Sequence, residues 1–216
     1  MKLIIGNKNY SSWSLRPWLL LKAHDLPFEE VRIPLFVDGY KAEIERYSPA
    51  GKVPILLDGG LEVWDSLAIC EYISEKYLAG KGWPEDERMR AEARSCCAEM
   101  HSSFSSLRND MPMNCRAHDR KVDISTELQR DISRIDILWT TLATKYGAHG
   151  PWLFGKFSIA DCMFAPVVFR FNTYNPEISE SARKYMKTML AHPKVVLWQE
   201  EAVNEVETIA YAETDR

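Results

Sequence analysis

The sequence predicts an α+β chain in two parts: a β-α-β-α-β-β-α unit over residues 1–78, a linker over 79–86, and an all-helical unit over 87–216. The prediction rests on three observations. Short apolar runs of strand length alternate with helix-length apolar patterns as far as Leu78. Gly80, Gly82 and Pro84 then interrupt the pattern, and no strand-like run follows them.

Lys2 to Gly6 is a short apolar run closed by Gly6-Asn7, and Ser14 to Ala23 has the length and leucine content of a helix. Glu29 to Leu35 reads as a second strand, followed by a more polar stretch from Asp38 to Tyr47. Val53 to Leu57 and Leu61 to Val63 flank Asp58-Gly59-Gly60, which predicts a hairpin. Ser66 is then placed to cap a helix whose apolar stripe, Leu67, Ile69, Cys70, Ile73 and Tyr77, stops near Gly80. Helical patterns occupy Glu85 to Asn109, Ser125 to Tyr146, Ile159 to Phe171, Ser179 to Leu190 and Pro193 to Glu205. Between them, Gly150-Pro151-Trp152-Leu153-Phe154-Gly155 reads as a loop feeding aromatic side chains into the helical core.

Composition narrows the function classes. At 216 residues, 46% hydrophobic and 27% charged, the chain is ordinary globular material, and no stretch approaches the roughly 20 apolar residues of a membrane span. A net charge of −4 offers no global field to attract nucleic acid. The apolar run near the N-terminus is too short for a secretory signal, which leads us to expect a cytoplasmic protein. Five cysteines without framework spacing suggest reduced thiols, and the five histidines match no ligand spacing, so no metal is expected.

Three short segments carry candidate chemistry. Asn9-Tyr10-Ser11-Ser12-Trp13-Ser14 lies between the first strand and the first helix, where free N–H groups and the helix dipole favour an anion, although a serine there also serves as a cap. Lys52-Val53-Pro54 opens a strand after the turn-forming Ser48-Pro49-Ala50-Gly51. With a cis bond at Pro54, the N–H and C=O of Val53 would form an open edge for an extended peptide; an ordinary trans proline would open an edge strand instead. Asp65-Ser66 sets a carboxylate and a hydroxyl at a helix N-terminus, suited to the ammonium and carboxylate of an amino acid or to plain capping.

In this order and on this arrangement of elements, the segments resemble the cytosolic glutathione transferase family over essentially the whole chain. Ser11-Ser12-Trp13-Ser14-Leu15-Arg16 is similar to its serine motif, Gly51-Lys52-Val53-Pro54 to its cis-proline turn, and Asp65-Ser66-Leu67-Ala68-Ile69 to its γ-glutamyl-binding turn. Phe157-Ser158-Ile159-Ala160-Asp161 resembles the capping box before its core helix, which satisfies backbone donors and serves folding. The resemblance implies a thioredoxin-like N-terminal domain, glutathione as co-substrate, and a homodimer.

It also implies roles for individual residues. Glutathione would lie antiparallel to Val53 beside Pro54, with its γ-glutamyl end at Asp65 and Ser66, Lys52 on a carboxylate and the sulfur toward Ser11. Ser12 is the second candidate for the sulfur and Tyr10 a third. A free thiol near pKa 8.5 is a few per cent thiolate at pH 7, and a hydrogen bond plus a helix terminus offers roughly 2 to 3 kcal/mol, about two pKa units. The serine therefore acts as a donor to sulfur, not as a nucleophile.

Trp13, Arg16, His101, Phe104 and Arg108 are the candidates for the second-substrate site. His101, Phe104, Leu107 and Arg108 share one face of the expected long helix, a spacing that core packing would also produce, and Arg16 and Arg108 would suit an acidic co-substrate. The expected activity is attack of the thiolate on a small electrophile. Alternatives are a maleylacetoacetate-type isomerase, where Trp13 stands in place of the zeta-type cysteine, and a non-catalytic adaptor. Adaptors of this fold usually lose the serine loop or the acid-serine pair, and this chain carries both.

Overall fold

The computed structural model describes residues 1–213. The first part runs β1 (Lys2–Ile5), α1 (Ser12–Ala23), β2 (Glu29–Arg32), α2 (Tyr40–Glu45), β3 (Ile55–Asp58), β4 (Leu61–Trp64) and α3 (Ser66–Leu78). The strands form one sheet in the order β2-β1-β3-β4, with β1 parallel to β2 and the other pairs antiparallel, a thioredoxin-like arrangement. β1 is wholly apolar after Lys2 because it is interior, with Leu3, Ile4 and Ile5 completely buried.

The remainder is helical: α4 (Glu87–Ser102), α5 (Ser105–Asp110), α6 (Thr126–Tyr146), α7 (Ile159–Tyr174), α8 (Glu180–Leu190) and α9 (Pro193–Val203). α7 lies at the centre and is buried on nearly all sides, which is why its sequence is apolar without a polar face. α1 packs against α7, so one buried cluster runs from Leu15, Trp18 and Leu19 to Met163 and Val167. At the start of α7, the Asp161 carboxylate accepts the N–H of Ser158 at 2.9 Å and that of Leu153 at 3.1 Å. Burial nonetheless pushes the Asp161 carboxyl up to about 6. Among the described residues no helix is long and apolar enough to cross a membrane.

The continuous helix expected from Glu85 to Asn109 is in fact two. The chain breaks at Ser103 and Phe104, and Phe104 adopts a left-handed backbone (φ 63°) that turns its ring into the core. Asp131 of α6 restarts the helix by accepting the Leu107 N–H at 3.0 Å. The Arg108 guanidinium closes α4 by donating to the carbonyls of Met100 and Ser103. α3 also differs from expectation, since its cap is Asp65, whose Oδ1 accepts the N–H groups of Leu67 (2.9 Å) and Ala68 (3.3 Å). Ser66 is the first helical residue.

Candidate functional site

A cavity of about 810 Å³ opens between the two parts of the chain. The loop after β1 delivers Ser11 to it and the first turn of α1 Ser12 and Trp13, the turn before β3 delivers Lys52, Val53 and Pro54, and the start of α3 delivers Asp65 and Ser66. His101 of α4 and Arg108 of α5 complete the set of sequence-predicted lining residues. Val53-Pro54 is cis.

Ser11 occupies the N-cap position of α1, yet its side chain makes no cap hydrogen bond. Its Oγ lies 2.7 Å from Ser14 Oγ, which accepts the Gly6 N–H at 3.0 Å. With Gly6 donating to Ser14, the Ser14 proton can pass to Ser11 Oγ, leaving the Ser11 proton available to the cavity. Ser12 Oγ accepts from Arg170 Nη2 at 3.3 Å. Tyr10 also reaches the cavity wall, but its hydroxyl donates to the Glu213 carboxylate and accepts from Arg116 Nη2 at 2.6 Å. Burial and Glu213 push the Tyr10 hydroxyl up, and its proton is engaged by the Glu213 carboxylate and not by the cavity.

Asp65 holds a backbone (φ 76°, ψ 133°) that L-residues rarely adopt, and the capping bonds of its Oδ1 keep it there. Its Oδ2 faces His101 Nε2 at 3.2 Å. The His101 ring meets Trp13 edge-on at 5.2 Å, and the guanidinium groups of Arg16 and Arg108 lie over the Trp13 ring at 4.3 and 4.8 Å.

Two expected members lie elsewhere. Phe104 is in the core because the left-handed turn points it there, and Arg16, fully buried, stands behind the wall and donates to Ser66 Oγ at 3.3 Å. Burial, with the nearby Arg108 charge, lowers the Arg16 guanidinium to about 9.

Conversely, Arg170 and Tyr211 line the cavity without having been expected there. Arg170 also donates to the carbonyls of Arg108 and Met111, and burial with the Arg108 charge lowers it to about 10. A lone arginine inside the apolar run of α7 was the available signal, since a buried cation requires partners or a task. Among the described residues neither Arg108 nor Arg170 is in a salt bridge, so the cavity carries a net positive wall. Phe36, Tyr40 and Tyr211 form an aromatic wall beside it, with Phe36 5.8 Å from Tyr211. Among the described residues no group of His, Cys, Asp and Glu is arranged to hold a metal ion.

Residues 10–76 match the family model of the glutathione S-transferase N-terminal domain, and residues 126–200 that of the C-terminal domain. The chain belongs to the glutathione S-transferase family. Dichloromethane dehalogenase of Methylorubrum extorquens is 39% identical over 61 residues, a stretch covering 27% of this chain and 21% of that protein. A probable maleylacetoacetate isomerase of Caenorhabditis elegans is 25% identical over 173 residues, 78% of this chain and 77% of that protein. The fold is also that of a solved maleyl pyruvate isomerase, a bacterial zeta-class transferase, with a TM-score of 0.73 and 20% identity, covering 96% of this chain and all of that one. A glutathione transferase homologue from Burkholderia, solved with bound glutathione, gives a TM-score of 0.69 at 22% identity, covering 94% and 98%.

Proposed function

We propose that this glutathione S-transferase binds glutathione along the cis-proline turn, lowers its thiol pKa, and directs the thiolate at a small electrophile bearing a carboxylate. The observation that carries the reading is the Ser11 hydroxyl, which faces the cavity at the start of α1, is not spent on capping, and is backed by Ser14.

Glutathione lies antiparallel to Val53 and exchanges hydrogen bonds with its N–H and C=O. The γ-glutamyl ammonium meets Asp65 Oδ2, which His101 faces at 3.2 Å. The adjoining carboxylate meets the Ser66 hydroxyl, made a stronger donor by Arg16, with Lys52 taking the other carboxylate. The sulfur then sits at Ser11, whose donated proton, with the N-terminus of α1, favours the thiolate by roughly 2 to 3 kcal/mol. Ser12, already polarised by Arg170, is the neighbouring donor.

Arg108 and Arg170 hold the carboxylate of the electrophile, and the aromatic wall packs its apolar part. The thiolate attacks the electrophilic carbon, and the leaving group departs with the bonding pair. A second reading, glutathione-dependent isomerisation of a maleyl-type acid, is favoured by the same arginine wall and by the relatives named for that activity. In it the thiolate adds to the double bond, the carbon–carbon bond rotates, and the thiolate leaves again. The five buried free cysteines support a reducing compartment such as the cytoplasm, and the family membership supports a homodimer.

The test is calorimetric titration of glutathione into wild type and Ser11→Ala, with thiolate absorbance near 240 nm reporting the pKa of the bound thiol. We expect binding in both proteins and a bound-thiol pKa about one to two units lower in the wild type than in the variant. Failure of the wild type to bind would end the transferase reading in favour of an adaptor. Turnover of a maleyl acid by the loaded wild type would select the isomerase.

A further inference from the structure

After α9 the chain does not leave the molecule: residues 204–213 fold back as a strap over the loop that precedes α1. Glu205 makes the decisive contact. Its carboxylate, only 6% exposed, accepts the Lys8 N–H on Oε1 at 2.7 Å and the Asn9 N–H on Oε2 at 3.1 Å. Arg32 Nη1 approaches Oε1 at 3.6 Å, and the Glu205 carbonyl accepts from Arg116 Nη1 at 2.5 Å.

The two N–H groups belong to the turn that sets Ser11. Within that turn the Asn7 carbonyl accepts from Tyr10 N (3.2 Å) and Ser11 N (2.8 Å), so the peptide units of Lys8 and Asn9 face outward, toward the strap. Lys8 and Asn9 are buried, and without Glu205 their N–H groups lose their acceptor inside the protein. The turn would then relax toward another acceptor and carry Ser11 with it. A carboxylate suits the task because it offers one acceptor oxygen to each N–H, whereas the isosteric amide of glutamine offers only one oxygen and turns a donor toward the other.

We propose that Glu205 is a positioning residue for thiol activation, its carboxylate holding the Lys8-Asn9 turn so that Ser11 Oγ faces the cavity. This rests on the reading of Ser11 as the donor to sulfur.

The experiment compares wild type, Glu205→Gln, Ser11→Ala and, as a control on the same strap, Glu207→Gln. Glu207 pairs through its side chain with Arg32 at 2.9 Å and touches no loop N–H. Amide hydrogen exchange at Lys8 and Asn9, measured without glutathione, reads the turn; the pKa of bound glutathione's thiol reads its consequence. In Glu205→Gln, exchange at one or both amides should quicken by about tenfold or more, and the thiol pKa should lie between those of wild type and Ser11→Ala. Glu207→Gln should leave both readouts at wild-type values.

Released amides with an unchanged thiol pKa would overturn the proposal alone, as would unchanged amides. Equal effects of Glu207→Gln would also overturn it, because they would trace the change to strap docking in general. A wild type that does not depress the thiol pKa would defeat the Ser11 reading, and this role of Glu205 with it, even with the amides released.

Discussion

Ser11 and Ser14 divide one task between them. Ser14 is wholly buried, ties the end of β1 to the first turn of α1 through the Gly6 N–H, and lies 2.7 Å from Ser11 Oγ, to which its hydroxyl can donate. Ser14→Ala removes that proton while Ser11 remains in place. Ser11 then has to find another donor, and its own proton is less strongly polarised toward sulfur. We expect the pKa of bound glutathione's thiol to rise by about half a unit to one unit, with glutathione affinity changed less than the pKa, read by the same 240 nm titration. The serines were legible in the sequence because a cavity-facing loop motif is local. That Arg170 and Tyr211 meet at the same cavity was not, because each reaches it from an element more than 150 positions beyond Ser11, and only packing brings them there. Arg16 misled for a related reason, since its place on the first helix says nothing of what covers it.

Among the elements, the hairpin between β3 and β4 is tied to α3 by Asp58 at the turn. Its Oδ2 accepts from Tyr72 at 2.7 Å and Lys76 at 2.8 Å, and from the Tyr77 hydroxyl as well. The Lys76 ammonium, then Tyr77 and Tyr72, hold the Asp58 carboxyl well below the usual carboxylate range. A carboxyl whose pKa is lower folded than unfolded stabilises fully above the unfolded value near 3.9, and the contribution fades as pH falls below that. Asp58→Asn should therefore lower the urea midpoint at pH 7, and the gap to wild type should narrow as pH is taken from about 5 toward 3. A gap independent of pH would show that the carboxylate's charge is not what binds hairpin to helix. These elements were legible because their signals are local: Asp58-Gly59-Gly60 marks a tight turn, and three- and four-residue spacing marks α3. The break at Phe104 was not, since the acceptor that restarts the helix, Asp131, lies on another element. The serine pairs on either side of Phe104, Ser102-Ser103 and Ser105-Ser106, were the local hint, because serine favours backbone bonds over helix continuation.

For the whole molecule, the cavity is assembled from segments distant in sequence: the serine loop and the cis-proline turn, Arg108 and Arg170, and Tyr211 from the strap. A site assembled from distant pieces is held in place by whatever buries the surfaces around it. One such surface is still open in the single chain. β4 is an edge strand, and Leu61 and Trp64 on it are 48% and 56% exposed, with Trp64 beside Asp65 at the cavity. Natural sheets rarely leave apolar side chains uncovered on an edge strand, because the open edge invites non-specific pairing. The family membership supports a second copy of the chain as the cover. Sedimentation at low micromolar concentration should give a species of about twice 24.9 kDa. Leu61→Glu, which places a charge on that edge without entering the cavity lining, should shift the equilibrium toward the single chain. A single 24.9 kDa species in the wild type would overturn the dimer. A variant that dissociates yet binds glutathione unchanged would show that each chain completes its own site.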